Sequence, residues 1–164
     1  MNPARRARRV AVLASAALLL TACDGGGAAS GPQRLPDVTV APLSGDGVPL
    51  DLATLTGPAV VNLWATWCVP CRRELPAFQD VSERSRDVAF IGIDIGDDPA
   101  AARAFLDRLG VTFPQYVDRD AAVTDVLGVA SLPVTFVVDA AGGVVTHLGP
   151  MSTEELQSTL DGLG

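Results

Sequence analysis

The apolar run Val60-Val61-Asn62-Leu63-Trp64 leads almost directly into Trp67-Cys68-Val69-Pro70-Cys71. Such a run reads as a buried strand, so the two cysteines fall where strand turns into helix. Any fold this chain adopts must be built around that strand, turn and helix. A helix N-terminus carries unpaired backbone N–H groups and about half a positive charge, which favours a thiolate over a thiol. The two-residue spacing also lets both sulfurs join in one disulfide on a single helical turn. These are the requirements of a chain that exchanges its own disulfide with those of others, and Cys68, nearest the helix start, is expected to present its sulfur to solvent.

The chain has three cysteines, and Cys23 stands apart from the pair. A disulfide-stapled fold needs more bridges, and a loop as short as Cys68 to Cys71 adds little stability. Structural zinc takes about four ligands, which one CxxC and a single histidine, His147, do not supply. No metal and no organic cofactor is expected, only the redox-active Cys68–Cys71 pair.

Residues 1–22 read as a targeting segment: Arg5, Arg6, Arg8 and Arg9 precede the apolar stretch Val10 to Leu20. That stretch is too short to span a bilayer, which takes roughly 20 apolar residues. Leu20-Thr21-Ala22-Cys23 resembles a bacterial lipobox, in which the cysteine is lipidated and becomes the new N-terminus. The alternative is an ordinary secretory signal with a cysteine nearby. Without the leader, eight arginines face nineteen acids, a formal charge of −11 (8 − 19), because all twelve basic residues are arginines and four lie in the leader. Such a surface repels nucleic acid and anionic headgroups, so any membrane attachment falls to acyl chains.

Residues 23–36 read as the lipidated cysteine and a Gly, Ala and Ser linker; its thirteen residues after Cys23 span about 20 Å root-mean-square. Residues 37–164 suffice for one domain with a proper core. Val38 to Pro42 and Val48 to Leu52 alternate like strands around Ser44-Gly45-Asp46-Gly47. Ala59 to Ala65 and Val88 to Ile95 read as buried strands. The helix after the cysteines carries Leu75, Phe78 and Val81 on one face, with Pro76 expected to kink it. Asp98-Pro99 opens a second helix that Gly110 ends. Phe113 to Val117 reads as a short strand and Asp120 to Leu127 as a short helix. A hairpin, Val134 to Asp139 and Val144 to Leu148, precedes a closing helix from Ser152 to Leu163, with Ser152 and Glu155 fitting a capping box. Alternating strands and helices with a late hairpin give an α/β fold with a central mixed sheet.

The order strand, WATWCVPC, helix, strand, then Ser131-Leu132-Pro133-Val134-Thr135-Phe136 resembles the thioredoxin superfamily, and within it the TlpA/ResA-type membrane-anchored proteins with a redoxin/AhpC-TSA-like domain. The resemblance covers residues 37–164, is strongest at Val60 to Pro76, and matches Gly96 to Asp118 to that group's central helix-and-strand insertion. It implies a thioredoxin-like fold with an N-terminal β-hairpin. It further implies a protein thiol–disulfide oxidoreductase on the extracytoplasmic face of a bacterial membrane, commonly keeping the haem-site cysteines of apocytochrome c reduced. The electron donor it implies is a membrane thiol–disulfide transporter. A monomer is expected.

The chemistry is then assigned residue by residue. Cys68 is the nucleophile and Cys71 the resolving cysteine. A thiol of pKa about 8.5 is largely protonated at neutral pH, and lowering it to about 7 makes half of it nucleophilic. Between the cysteines, Val69-Pro70 holds no histidine to stabilise the thiolate, and Glu74, three residues past Cys71, disfavours it by like charge. Both favour a reductant. By resemblance Glu74 tunes the cysteines and assists proton transfer; the alternative is a solvated helix acid. Asn62 stands where thioredoxin has a buried acid, and is read as satisfying backbone groups. Pro133 is expected cis, with Leu132 and Pro133 beside the disulfide and the Leu132 backbone free to pair with a substrate strand. Pro70 and Trp67 are assigned to the same substrate surface, with core packing as the alternative for Trp67. Trp64 is read as core and His147 as structural or exposed.

Three other functions compete with this reading. An oxidant that installs disulfides uses the same residues in reverse. A thiol peroxidase needs a threonine and a proline where this chain has Ala65 and Val61. A copper carrier of this fold spaces its cysteines one residue further apart and adds a placed histidine.

Overall fold

The computed structural model describes residues 34–163, so the targeting segment, Cys23 and most of the linker lie outside the described residues. In chain order the elements are β1 (Thr39–Pro42), β2 (Leu50–Asp51), a 3-10 turn (Leu52–Thr54), β3 (Ala59–Trp64), α1 (Val69–Arg84), β4 (Ala89–Ile95), α2 (Pro99–Leu109), β5 (Gln115–Asp118), α3 (Ala122–Leu127), β6 (Val134–Val138), β7 (Val144–Leu148) and α4 (Thr153–Asp161). The strands form one seven-stranded sheet in the order β2-β1-β5-β4-β3-β6-β7. β3, β4 and β5 run parallel, while β1, β6 and β7 pair antiparallel with their neighbours. The fold is the mixed α/β, thioredoxin-like arrangement.

β3 is central, and all six of its residues are buried. Side chains alternate between faces, so Val60 and Trp64 join Phe90, Val117 and Val137 against α1, α2 and α4. Val61 and Leu63 join Ile91, Ile93, Val134 and Phe136 on the other face, with Val123 of α3. Parallel strands covered on both sides need this near-continuous apolar composition.

α1 buries Cys71, Glu74, Leu75, Phe78, Gln79 and Val81, a stripe with helical spacing. It continues through Pro76, whose missing N–H leaves the Arg72 carbonyl without its helical donor. Asp98 caps α2 by accepting from Ala100 N and Ala101 N, and Gly110 closes it in the left-handed conformation at φ 68°. Ser152 and Glu155 form the reciprocal capping box of α4.

β5 begins two residues later than the sequence suggests. Phe113 packs edge-on to Phe90 in the core, with centroids 6.1 Å apart. Pro114 has no N–H to give a ladder, and its carbonyl accepts from Gly92 N at 3.0 Å.

Candidate functional site

Cys68 is the N-cap of α1 and Cys71 its third residue, with Pro70 between them at the second helical position. Proline is tolerated there because that N–H has no helical acceptor. The cysteines are joined in a disulfide with Cα atoms 5.3 Å apart. Cys68 Sγ accepts from Cys71 N at 3.2 Å, so the helix terminus donates to the sulfur expected to carry negative charge once reduced. The first turn of α1 holds no acid to oppose this.

The expectation of an open sulfur is corrected. Cys68 is 4% exposed and Cys71 0%. The asymmetry between them has the expected direction, but the bridge is drawn into the cluster of Trp64, Ala65, Leu75 and Phe78, with Leu132 packed at its margin. What faces solvent are the flanking residues: Trp67 is 65% exposed and Val69 60%.

Glu74 follows Cys71 by three residues, hence on the same helix face. It is buried, which removes the solvated-acid alternative. Its Oε1 accepts from Asn62 Nδ2 at 3.0 Å and its Oε2 from Met151 N at 3.0 Å. Burial raises its pKa to about 7, against the opposing pull of those two hydrogen bonds. Asn62 also donates to Thr135 Oγ1 at 3.1 Å. Its amide thus serves side chains and not the backbone groups expected from the sequence. A groove of about 420 Å³, lined by Pro70, Arg73, Glu74, Met151 and Glu155, connects this acid with solvent beside the cysteines.

On the other flank of β3, Trp64 is fully buried, as the sequence suggests, and stacks on Phe105 at 5.6 Å. Its indole N–H donates to Gln115 Oε1 at 2.9 Å. Gln115 reaches it by lying over Gly92, where a Cβ would stand 2.0 Å from the same oxygen. The turn before Cys68 is held by Asp97, which accepts from Thr66 N and from Thr66 Oγ1.

Leu132 is half-buried, Pro133 is buried, and the bond between them is cis. Pro70 is half-buried. His147 lies half-buried on edge strand β7. Among the described residues no group of three or more His, Cys, Asp or Glu is placed to hold a metal, and no helix is long and apolar enough to cross a membrane.

Sequence reasoning missed Thr135, Met151 and Asp97. Glu74 was found, but its burial was legible too: it lies three residues from Cys71 and four from Phe78, on the apolar stripe of α1.

Residues 31–163 match the Redoxin family. The chain is 34% identical over 114 residues to the thiol-disulfide oxidoreductase ResA of Bacillus subtilis, covering 68% of this chain and 64% of that one. It is 32% identical to the thioredoxin-like protein YneN of the same organism, covering 79% and 78% of the two chains. The matched stretch spans less than two thirds of the ResA proteins from B. subtilis, Geobacillus thermodenitrificans and Geobacillus kaustophilus, at 64%, 61% and 61%. Among solved structures, MTB DsbF superposes with a TM-score of 0.74 at 30% identity, covering 82% of this chain and all of that one. A secreted Mycobacterium tuberculosis disulfide oxidoreductase homologous to E. coli DsbE superposes with a TM-score of 0.70 at 28% identity, covering 77% and 96%.

Proposed function

The chain belongs to the Redoxin family, and from that premise we propose that it is a protein thiol–disulfide oxidoreductase working as a reductant, with Cys68 as nucleophile and Cys71 as resolving cysteine. The observation that carries the reading is the Cys68–Cys71 bridge at the N-terminus of α1, with Glu74 buried one turn beyond it.

The Cys68 thiolate attacks a substrate disulfide. A mixed disulfide forms and the first substrate thiolate leaves. Cys71, deprotonated, then attacks Cys68 Sγ, closing the bridge seen here and releasing the second substrate thiolate. Two electrons pass to the substrate, and the two protons the cysteines lose are available to its sulfurs. Glu74, with a pKa of about 7, suits receipt of the Cys71 proton near neutrality. Because about half of it is uncharged there, its repulsion of the thiolate is partial at pH 7 and grows above it. Trp67, Val69 and Pro70 form the outward surface against which a substrate settles, with Leu132 and Pro133 opposite.

The reading extends to place and partners. Residues 1–22 are proposed as a lipoprotein signal peptide, Cys23 as the lipidated residue and residues 23–36 as the tether, on the extracytoplasmic face of the bacterial cell membrane; residues 37–164 are the thioredoxin-like domain. The lipobox sequence supports this. Apocytochrome c is the proposed substrate and a membrane thiol–disulfide transporter the proposed donor, both carried over from what the TlpA/ResA-type resemblance of residues 37–164 implies.

Reduction of insulin disulfides tests the chemistry. Cys68→Ser is expected to fall to background, and Cys71→Ser to accumulate mixed disulfides through Cys68. Full activity in Cys68→Ser would overturn the assignment. A reduction potential near thioredoxin's, about −270 mV, fits a reductant, whereas one near about −120 mV moves the protein to the oxidants.

A further inference from the structure

Asp94 is a carboxylate that the chemistry above does not use. It interrupts the apolar strand β4, is fully buried, and among the described residues no side chain donates to either of its oxygens. In register it stands between Trp64 of β3 and Val117 of β5. A bare carboxylate among such neighbours is costly, and the group escapes that cost by holding a proton. A protonated acid in turn needs an acceptor for its O–H.

Asp97, three residues on, is the acidic group that acts on it. Asp97 already accepts from Thr66 N and Thr66 Oγ1, and a carboxylate has about four lone-pair sites, so capacity remains. Asp97 is thus well supplied with donors, whereas Asp94 has at most the Asp97 backbone N–H, too little to offset its burial, and keeps its proton. Thr66 is two residues before Cys68, inside the turn closed by Cys68 N donating to Ala65 O at 3.1 Å.

We infer that Asp94 and Asp97 share one proton, and that through Thr66 the pair fixes the turn presenting Cys68. Asp94 is thus a positioning residue for the thiol–disulfide chemistry, and this role rests on the function proposed above.

Charged groups on the flanking elements are engaged elsewhere: Arg103 of α2 donates to the Leu43 carbonyl at 2.8 Å. Asp118, next along β5, accepts instead from Ala122 N and Val123 N at the start of α3. Arg72 of α1 lies over the ring of Phe105, 5.6 Å from its centroid. Burial and the neighbouring Asp97 carboxylate raise the Asp94 pKa to about 8. Below that pH the pair carries one negative charge. Above it two carboxylates face each other, the hold on Thr66 weakens, and negative charge collects beside the turn that carries Cys68. The reduced form loses stability, so the protein becomes a stronger reductant in alkali.

Carboxyl-carbon and amide NMR of the oxidised protein, in which the cysteines do not titrate, tests this directly. One carboxyl titrating near pH 8, with the Thr66 amide moving at the same midpoint, is the expected result. In Asp94→Asn, which keeps a donor toward Asp97, the alkaline step at Thr66 disappears. At equilibrium with glutathione, the wild type and this variant separate about threefold at pH 9, as one extra charge at moderate distance would give, and the gap closes toward pH 6. Titration of Asp94 in the ordinary carboxylate range, or a Thr66 amide unmoved at its midpoint, overturns the inference. The wild-type titration decides the matter even where Asp94→Asn does not fold. Because it is read on the disulfide form, it is independent of insulin reduction: loss of that activity would sink the function proposed above and leave the proton-sharing result to stand or fall by itself.

Discussion

Asn62 on β3 donates its side-chain amide to Glu74 on α1 at 3.0 Å, within a layer that also contains Thr135. Burial raises the pKa of this acid to about 7, and the bond from a strand residue twelve positions away pulls against that rise. The sign of its effect on stability follows from its raised pKa. Native Glu74 holds its proton up to about pH 7, while the unfolded chain releases it near 4.5. Its contribution to stability is full below 4.5 and is lost as pH rises through 7. Glu74→Gln removes that loss. The difference in unfolding free energy between the variant and the wild type is expected to move in the variant's favour by about 3 kcal/mol between pH 4 and 8. Urea unfolding of the oxidised proteins at the two pH values measures it, and a constant difference contradicts the buried titration.

Asn62→Ala tests the other partner. The Asn62 hydrogen bond lowers the Glu74 pKa, so its removal pushes the acid higher and extends the loss of stability to higher pH. The cost at pH 5 is expected to be about 1 kcal/mol, at the low end for a buried polar deletion. Asn62 Oδ1 has no partner among the described residues, and removing that orphan offsets part of the lost bond. Carboxyl NMR of Glu74 in the variant reads the shift.

Much of this was legible in the chain because several signals agreed. The apolar run of β3, the Asp98-Pro99 start and Gly110 stop of α2, and the Ser152 and Glu155 box each act locally, and each element formed where its signal lies. The cysteine pair was legible for the same reason. The partners of Asn62 were not. Thr135 and Met151 lie 73 and 77 residues from the groups they bond, and only the antiparallel register of β6 on β3 and the seating of α4 bring them in. Nor was the covering of Cys68, which depends on how Leu132 packs against a cluster assembled from several elements. The start of β5 failed for a tertiary reason as well, since Phe113 is recruited by Phe90.

Gly92 shows how a missing side chain positions a functional neighbour. Its φ is ordinary, so the constraint is space: the Gln115 amide occupies the place of a Cβ and thereby accepts from Trp64. Gly92→Ala is expected to cost about 2–4 kcal/mol by displacing that amide and stranding the buried indole N–H. Gln115→Ala removes the obstacle, so the double variant should lose less than the two single costs together. Strict additivity in guanidinium unfolding would show that the contact at Gly92 is not the cause.

Trp67 separates recognition from folding. It immediately precedes the nucleophilic position yet is 65% exposed, so the core-packing alternative does not hold. An exposed tryptophan gives up little stability when truncated, and Trp67→Ala should unfold within about 0.5 kcal/mol of the wild type. The same ring is a large, rigid apolar surface beside a sulfur that is itself nearly covered, so a partner must settle on the ring before the sulfurs meet. Loss of such an anchor costs about 2 kcal/mol of binding in protein interfaces. The KM for a peptide disulfide substrate should therefore rise by more than tenfold, while the rate with a small disulfide, which needs no such docking, changes little. An equal fall with both substrates would mean that Trp67 acts on the sulfur chemistry itself and not on the approach of the partner.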